Sequence, residues 1–335
     1  MTDGYSNIEA LCGAFYASRV LHTAVELDLF AAIGDGGNAA QVAARRGLNE
    51  RATMLMLNAA TAIGLLRKRN GVFSLTDDTR RYLLPDSAEY FGGMVAFEGA
   101  SWPLWERLGE AVRTGQPVRR PDMYQNDADE TRRFILAMHS LVRARGDDRW
   151  LADHLPRLIP LDGPRRLLDV GSGPATYPIA LARALPELDA RVFDLPATLT
   201  VTAGVVQQED MGDRIALHSG DYRSDPLPGG CHVVFMSNVL HGEDEATCRT
   251  LIHNSFDALQ PGGHLVIKDH VLNGELTAPE GGALFSLLML LSTRGRDYGL
   301  HEMAEWMDAA GFAPPVETVL PSPFSSSLVI ARKPD

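Results

Sequence analysis

The sequence predicts an α/β chain in which a helical, winged-helix-like region precedes a Rossmann-like domain. Its 335 residues are enough for two domains, and 45% hydrophobic with 22% charged residues is typical of a globular protein. Apolar residues recur at helical spacing up to about residue 160, and strands then alternate with helices. We therefore expect one domain over residues 1–160 and a second over 161–335.

The first region shows the order helix, turn, helix and wing. Apolar residues at helical spacing run over 8–33, and Ala39–Arg46 reads as a short helix. The next helix begins near Glu50, with Met54 predicted on its inner face. Asn70-Gly71 then marks a hairpin between two short strands. This order is a winged-helix pattern.

A winged helix raises the alternative of a DNA-binding regulator. The helix that would enter the major groove carries a single basic residue, Arg51, and the only nearby basic cluster is Arg67-Lys68-Arg69. The net charge of −12 also disfavours binding to phosphates. We therefore expect no nucleic-acid partner and give this region a packing or dimerisation role.

Cysteine content and hydropathy indicate the compartment. Cys12, Cys231 and Cys248 fit neither a zinc ribbon nor a redox pair, so we expect reduced thiols. The first residues lack a basic stretch followed by an apolar one. The most apolar run, 283–291, is too short to cross a bilayer. These features predict a cytoplasmic protein without a membrane partner.

The second region alternates strands with helices, which predicts a mostly parallel sheet covered on both faces. The strand candidates are 166–170, 190–193, 215–218, 233–237 and 264–269. Ligands of such sheets bind beyond the carboxyl ends of the strands. The residues that follow each strand are therefore the candidate site residues.

A glycine turn follows the first of these strands. Gly171 and Gly173 allow a sharp turn and a close approach of the backbone to a ligand. The dinucleotide fingerprint requires a third glycine, where this chain has Thr176. The turn therefore allows a ligand close to the backbone, and the missing third glycine weakens an NAD assignment.

Acidic residues lie at or beside the ends of three strands: Asp169, Asp194 and Asp221. Asp194, about 20 residues beyond the turn, is placed to accept hydrogen bonds from ribose hydroxyls. Asp221 precedes Tyr222, a pair suited to an adenine. Carboxylates in this number favour a cationic cofactor without phosphates, and S-adenosylmethionine has these properties.

At this point the sequence resembles the small-molecule O-methyltransferases of plants and bacteria, the caffeic acid and acetylserotonin type. The resemblance covers nearly the whole chain, and its specific segments are Leu-Asp-Val-Gly-Ser-Gly, Phe-Asp-Leu-Pro, Gly-Asp-Tyr, Asn-Val-Leu-His, Leu-Gln-Pro-Gly-Gly and Ala-Gly-Phe. It implies a class I methyltransferase fold. It also implies a homodimer, in which the N-terminal domain dimerises and helps to close the substrate site of the partner.

The resemblance implies roles for the cofactor residues. The methionine end of S-adenosylmethionine would be held by Asp169, Gly171 and Gly173. The ribose would lie at Asp194, and Leu195 would also contact the cofactor. The remaining cofactor contacts would come from Asp221, Tyr222 and Ser237, where Ser237 replaces a lysine of many relatives.

The resemblance also implies the catalytic residues. His241 matches the catalytic histidine, a general base for the acceptor hydroxyl, and Asp269 and Asp297 match the two acidic residues that orient it. The motif His-Asp-Trp is replaced by His241-Gly242-Glu243. A helix over 284–292 would lie near a small aromatic or secondary-metabolite acceptor.

Several alternatives stay open. The same fold could methylate carbon or nitrogen, or catalyse a reaction without methyl transfer. His241, Asp269, His270 and His301 could include a metal set for iron or zinc. We expect no metal, because Asp269 and His270 are strand neighbours and should point to opposite faces of the sheet.

Overall fold

The computed structural model describes residues 4–122, 124–163, 165–322 and 324–335. The chain divides into two compact units, Met1–Trp102 and Pro103–Asp335. The change from helices and one short hairpin to alternating strands and helices falls near residue 160, as predicted, with the first strand of the large sheet at Arg165–Val170. Because the two compact units divide between Trp102 and Pro103, the predicted domain boundary at residue 160 stays a prediction.

The first unit consists of short helices and one hairpin. Its helices are α1 (Gly4–Gly13), α2 (Phe15–Glu26), α3 (Leu29–Ile33), α4 (Ala39–Arg46), α5 (Glu50–Ala62), α6 (Asp77–Leu83) and α7 (Gly92–Ala100). Its strands are β1 (Leu66–Arg69) and β2 (Val72–Leu75), which pair antiparallel. The predicted run over 8–33 is thus three helices, and the predicted winged-helix order is confirmed.

Local sequence explains the winged-helix elements. The side chains of Asn38 and Asn49 accept hydrogen bonds from the first turns of α4 and α5 and so cap them. Asn70 and Gly71 take positive φ angles of 49° and 78°, the conformation that a two-residue hairpin requires. The prediction that Met54 faces inward is wrong, since Met54 is 42% exposed.

The second unit is an α/β domain preceded by helices. Its helices are α8 (Trp102–Glu106), which begins at the division, α9 (Leu108–Thr114), α10 (Ala128–Arg145), α11 (Asp147–Leu158), α12 (Thr176–Ala184), α13 (Pro196–Gln208), α14 (Glu245–Ala258), α15 (Glu280–Ser292) and α16 (Leu300–Ala310). A 3₁₀ turn spans Leu240–Gly242. Its strands are β3 (Arg165–Val170), β4 (Leu188–Asp194), β5 (Ile215–Ser219), β6 (Cys231–Ser237), β7 (Leu259–Asp269), β8 (Val271–Leu272), β9 (Tyr298–Gly299), β10 (Val316–Val319) and β11 (Ser327–Arg332).

Seven strands form one sheet in the order β10-β11-β7-β6-β3-β4-β5. All five strands predicted from the sequence are present and pair in parallel, while β10 and β11 add an antiparallel edge that the sequence did not reveal. Separate apolar clusters cover the two faces, one around Phe235 and one around Met236, which are neighbours on β6. The predicted Rossmann-like fold class is confirmed.

This topology places the ends of β3, β4, β6 and β7 side by side. Asp169, Asp194, Ser237 and Asp269 are therefore carried to one edge of the sheet by parallel neighbours. Cys12, Cys231 and Cys248 are free. Among the described residues, no helix has the length and apolar character needed to cross a membrane.

Candidate active site

The glycine turn lies directly after β3. Gly171 and Gly173 have φ angles of 66° and 57°, which side chains other than glycine rarely adopt. A Cβ atom on Gly171 would lie 2.9 Å from Cγ2 of Val239 and 3.5 Å from the Tyr222 ring. The turn after β3 is thus in contact with the segments that follow β5 and β6.

Two buried carboxylates hold this turn. Asp169 accepts a hydrogen bond from the Ser172 hydroxyl at 2.6 Å. Asp194 accepts one from the backbone N–H of Gly173 and another from that of Leu195, each at 2.7 Å. The Thr198 side chain is a third hydrogen-bond partner, and because an ionised carboxylate has about four acceptor positions, Asp194 retains capacity for a further hydroxyl donor. The predicted role of Asp194 in binding the ribose is therefore compatible with the hydrogen bonds that Asp194 accepts from the protein.

The pKa values of these carboxylates are raised. Burial raises the pKa of Asp169 to about 8, and the nearby Asp194 adds to the shift while Ser172 opposes it. Burial also raises the pKa of Asp194, against the hydrogen bonds from the backbone. Two desolvated acids side by side form a site that a cation stabilises. These carboxylate acceptors fit the ammonium and the ribose hydroxyls of S-adenosylmethionine, which are hydrogen-bond donors.

Tyr222 and Asp221 are placed differently from each other. The Tyr222 ring is buried beside the glycine turn, and its hydroxyl donates a hydrogen bond to Oε1 of Glu243 at 2.7 Å. The Asp221 carboxylate is turned toward its own loop, where it accepts from the backbone N–H of Arg223. Sequence reasoning noted Glu243 only as a departure from a motif and did not find this contact.

Ser237 ends β6 and pairs in register with Lys268 of β7. The Lys268 side chain is fully buried and its ammonium lies 2.9 Å from the Asp147 carboxylate and 2.7 Å from the Ser326 hydroxyl. Burial lowers the pKa of Lys268, although Asp147 opposes the shift. The signal that could have revealed this ion pair is a single lysine inside an apolar strand pattern.

His241 occupies the 3₁₀ turn after β6, two residues beyond Val239. Its Nδ1–H donates to Oδ1 of Asp269 at 2.6 Å, and its Nε2 has no hydrogen-bond partner within the part of the chain that the structure describes. Asp269 is the last residue of β7 and is buried. This is the geometry of a histidine whose tautomer is fixed by a carboxylate, with the other ring nitrogen left to accept a proton.

Burial alone would lower the pKa of His241, but the Asp269 carboxylate, with Asp297 behind it, outweighs burial and raises the pKa. Burial would likewise raise the pKa of Asp269, and the contact with His241 holds it below the usual value. The contact with Asp269 therefore makes protonation of His241 easier than burial alone would allow. Such a pair stabilises the charge that proton transfer to His241 would create.

Asp297 lies near two imidazoles. Its carboxylate is 3.8 Å from Nδ1 of His241 and 3.3 Å from Nδ1 of His270. The expectation that Asp269 and His270 point apart is wrong. The reason is that β7 ends at Asp269, so strand alternation no longer governs His270, whose N–H bonds the Asp269 carboxylate. His301 is not among the clustered residues.

Helix α15, predicted over 284–292, forms a wall beside both rings. Phe285 packs edge-on against His241 and His270, with 4.9 Å between ring centroids in each case. A Cβ atom on Gly295 would lie 2.1 Å from the carbonyl oxygen of His241, so only glycine permits this approach. The turn that carries His241 is therefore confined from two sides.

Comparison with known proteins gives two family matches. Residues 105–313 match the family model described as an O-methyltransferase domain. Residues 9–89 match the O-methyltransferase dimerisation domain, which corresponds to the winged-helix-like region. Together these matches cover most of both compact units.

Individual proteins agree with these matches. The chain is 32% identical to 3-hydroxy-5-methyl-1-naphthoate 3-O-methyltransferase of Streptomyces sahachiroi, over 96% of this chain and 94% of that protein. It is 30% identical to L-tyrosine C(3)-methyltransferase of Streptomyces lavendulae, over 89% and 84% respectively. The solved structure of PigF with S-adenosylhomocysteine, a Serratia protein, is 26% identical, with a TM-score of 0.87 over 98% of this chain and 99% of that one.

Proposed function

This chain belongs to the O-methyltransferase family and uses S-adenosylmethionine, and we propose that it methylates a hydroxyl of a small aromatic acceptor with His241 as general base. The observation that carries the proposal is the 2.6 Å hydrogen bond from His241 to Asp269, which leaves Nε2 unpartnered among the described residues. His241 follows Val239, which lies against the glycine turn. The proposed base therefore lies close to the glycine turn that is proposed to bind the cofactor.

Cofactor binding is assigned to the residues around that turn. Asp169 would pair with the ammonium, the backbone at Gly171 and Gly173 would approach the methionine part, and Asp194 with Leu195 would hold the ribose. When bound, S-adenosylmethionine supplies the methyl group from its sulfonium. The remaining cofactor contacts are assigned to Tyr222, at the adenine, and to Asp221 and Ser237 at the ends of β5 and β6.

The base step follows from the His241 geometry. The acceptor hydroxyl gives its proton to Nε2 while Nδ1–H stays bonded to Asp269, and the resulting oxyanion is the nucleophile. The carboxylates of Asp269 and Asp297 stabilise the imidazolium. General base catalysis of this kind contributes about 10²–10⁴-fold to a rate.

An aromatic acceptor is supported by the wall beside the base. Phe285 and the apolar helix α15 offer a surface suited to a flat ring. A relative that is 32% identical is named for a hydroxynaphthoate, which has the same chemistry. We therefore assign the acceptor to the phenols and related hydroxyarenes of secondary metabolism.

Carbon methylation is the second candidate, because a relative that is 30% identical is an L-tyrosine C(3)-methyltransferase. Removal of a phenolic proton by His241 would also make the neighbouring ring carbon nucleophilic. The same base therefore serves both reactions. The position of the new methyl group decides between them.

A homodimer is part of the proposal. The matched dimerisation domain begins within α1 and includes α2, and the apolar side chains of Leu11 and Tyr16 on these helices are exposed in the single chain. Large exposed apolar side chains on neighbouring helices are typical of an oligomer contact. We assign residues 1–160 to dimerisation and substrate capping.

The proposal is tested by incubating the protein with methyl-labelled S-adenosylmethionine and three acceptors: 3-hydroxy-5-methyl-1-naphthoate, N-acetylserotonin and L-tyrosine. Mass spectrometry detects methylation and NMR locates the methyl group. We expect methylation of a phenolic oxygen in at least one phenol. A methyl group on a ring carbon would show that carbon methylation, the second candidate, is the reaction. Absence of methyl transfer to all three acceptors would contradict the assigned acceptor class.

A further inference from the structure

Four ionisable side chains meet on the Asp269 side of His241. One ligand atom from each of His241, Asp269, His270 and Asp297 lies within 4.8 Å of the others. The residues come from the turn after β6, the end of β7 and the segment before β9. No other group of this kind was found within residues 4–122, 124–163, 165–322 and 324–335.

Several atoms of this cluster lack hydrogen bonds. Asp297 is 0% exposed, and among the residues that the structure describes both of its carboxylate oxygens are without a hydrogen-bond partner, as are Oδ2 of Asp269 and Nδ1 of His270. The Asp297 carboxylate lies 3.3 Å from Nδ1 of His270 and 3.8 Å from Nδ1 of His241. Buried carboxylates with unused acceptor positions call for a counter-charge, which is a proton or a cation.

We propose that His241, Asp269, His270 and Asp297 form a binding site for a divalent first-row transition cation, with Zn²⁺ the best fit. Two imidazole nitrogens and two carboxylate oxygens suit Zn²⁺, Fe²⁺ or Mn²⁺, whereas Mg²⁺ and Ca²⁺ prefer oxygen ligands alone. Tetrahedral zinc with bonds of about 2.1 Å separates its ligands by about 3.4 Å. The three contacts between an imidazole nitrogen and a carboxylate oxygen measure 2.6, 3.3 and 3.8 Å, and all four ligand atoms lie within 4.8 Å of one another, so small side-chain movements would bring them to that spacing.

Metal binding would oppose the base, a consequence that rests on the proposed function. A cation on Nδ1 of His241 displaces the proton donated to Asp269, and the neutral ring then carries its proton on Nε2. Nε2 has no lone pair left to accept a proton from the acceptor hydroxyl. Zn²⁺ and catalysis therefore compete for His241, and the cation acts as a reversible inhibitor.

Binding is tested by calorimetric titration of the full chain with zinc chloride after removal of bound metal with a chelator. Cobalt(II) provides a second probe, because its visible absorption reports tetrahedral coordination. We expect one Zn²⁺ per chain and a tetrahedral cobalt spectrum. His270→Ala should weaken zinc binding at least tenfold, and Asp297→Asn should do the same. His301→Ala, which alters an exposed histidine of the same unit, should leave the affinity unchanged.

Thermal unfolding establishes whether each variant is folded. If His270→Ala does not fold, Asp297→Asn tests the site instead, because it keeps the size of the side chain. In the methyl-transfer assay, zinc should inhibit the wild type, a chelator should restore it, and His270→Ala should be at least tenfold less sensitive. Absence of zinc and cobalt binding, or equal affinity in every variant, would overturn the metal site and leave the methyl-transfer result standing. Zinc binding without methyl transfer would instead overturn only the proposed function.

Discussion

The Tyr222 hydroxyl donates a hydrogen bond to Oε1 of Glu243 at 2.7 Å, so the segment after β5 is tied to the segment after His241. Glu243 is buried and also accepts from the Arg223 guanidinium at 2.9 and 2.7 Å. One carboxylate thus joins the predicted adenine side of the site to the turn that carries the base. Glu243, which belongs to the segment His241-Gly242-Glu243 that replaces the family's usual His-Asp-Trp, therefore makes specific contacts with Tyr222 and Arg223.

Glu243→Gln should weaken cofactor binding. The amide can still accept from Tyr222, but the charge opposite Arg223 is lost, and the Tyr222 ring beside the glycine turn becomes less well fixed. We expect the affinity for S-adenosylhomocysteine to fall about tenfold, or about 1.4 kcal/mol, in calorimetric titration. Glu305→Gln, which alters an exposed carboxylate paired with Arg249, is the control. Equal affinities for both variants would show that Glu243 does not support the cofactor site.

Binding of S-adenosylmethionine should release a proton from Asp169. Burial raises the pKa of Asp169 to about 8, so at pH 7 the free protein holds this carboxyl mostly protonated. An ammonium partner favours the ionised form, so the group must lose its proton on binding, and affinity should rise with pH toward 8. Calorimetry in two buffers of different ionisation enthalpy measures the release.

We expect close to one proton released per site at pH 7 in the wild type. Asp169→Asn has no proton to lose at this position and should release none while binding the cofactor more weakly. If the wild type and Asp169→Asn release the same number of protons, the proton released on cofactor binding comes from another group.

Gly171→Ala should abolish cofactor binding and destabilise the protein. The positive φ angle costs about 1–2 kcal/mol for a residue with a Cβ atom, and that atom would lie 2.9 Å from Val239. Urea unfolding should show this loss. Gly204→Ala, inside α13 with open space around its Cβ position, should instead stabilise by up to about 1 kcal/mol. If Gly171→Ala is as stable as the wild type, the positive φ angle and the short distance to Val239 do not exclude a side chain at this position.

Leu11→Glu should dissociate the homodimer. Leu11 on α1 is 67% exposed in the single chain, and a charge there would be buried without a partner in an apolar contact. Sedimentation velocity should show a dimer for the wild type and a monomer for the variant. Val316→Glu places the same charge on an exposed position of β10 and should remain dimeric. A dimeric Leu11→Glu would remove α1 from the proposed interface.

Much of the fold was predictable because its signals are local. The five parallel strands are apolar runs bounded by turn residues. Asp194 ends one of these strands, and Gly171 and His241 follow two others whose ends share the same sheet edge. The wing was predictable from Asn70-Gly71, which selects the hairpin turn directly.

Contacts between distant segments were not predictable. Strand β11 pairs with β7, which lies far earlier in the chain, and β10 pairs only with β11, while the sequences of both strands are short and ambiguous. The meeting of His270 with Asp297 depends on where β7 ends, because one further strand residue would have turned His270 to the other face. Lys268 and Asp147 likewise compensate each other only in the folded chain.

The most direct test of the central claim is the rate of methyl transfer by His241→Ala, measured on the phenol that the acceptor panel identifies. His253→Ala, at an exposed position of α14, is the matched control, and S-adenosylhomocysteine affinity is measured for each protein. We predict that the His241 variant binds the cofactor normally and transfers methyl about 10²–10⁴-fold more slowly. The gap should narrow as pH approaches about 10, where a phenol ionises without a base. A His241 variant as fast as the control at neutral pH would contradict the assignment of His241 as the base.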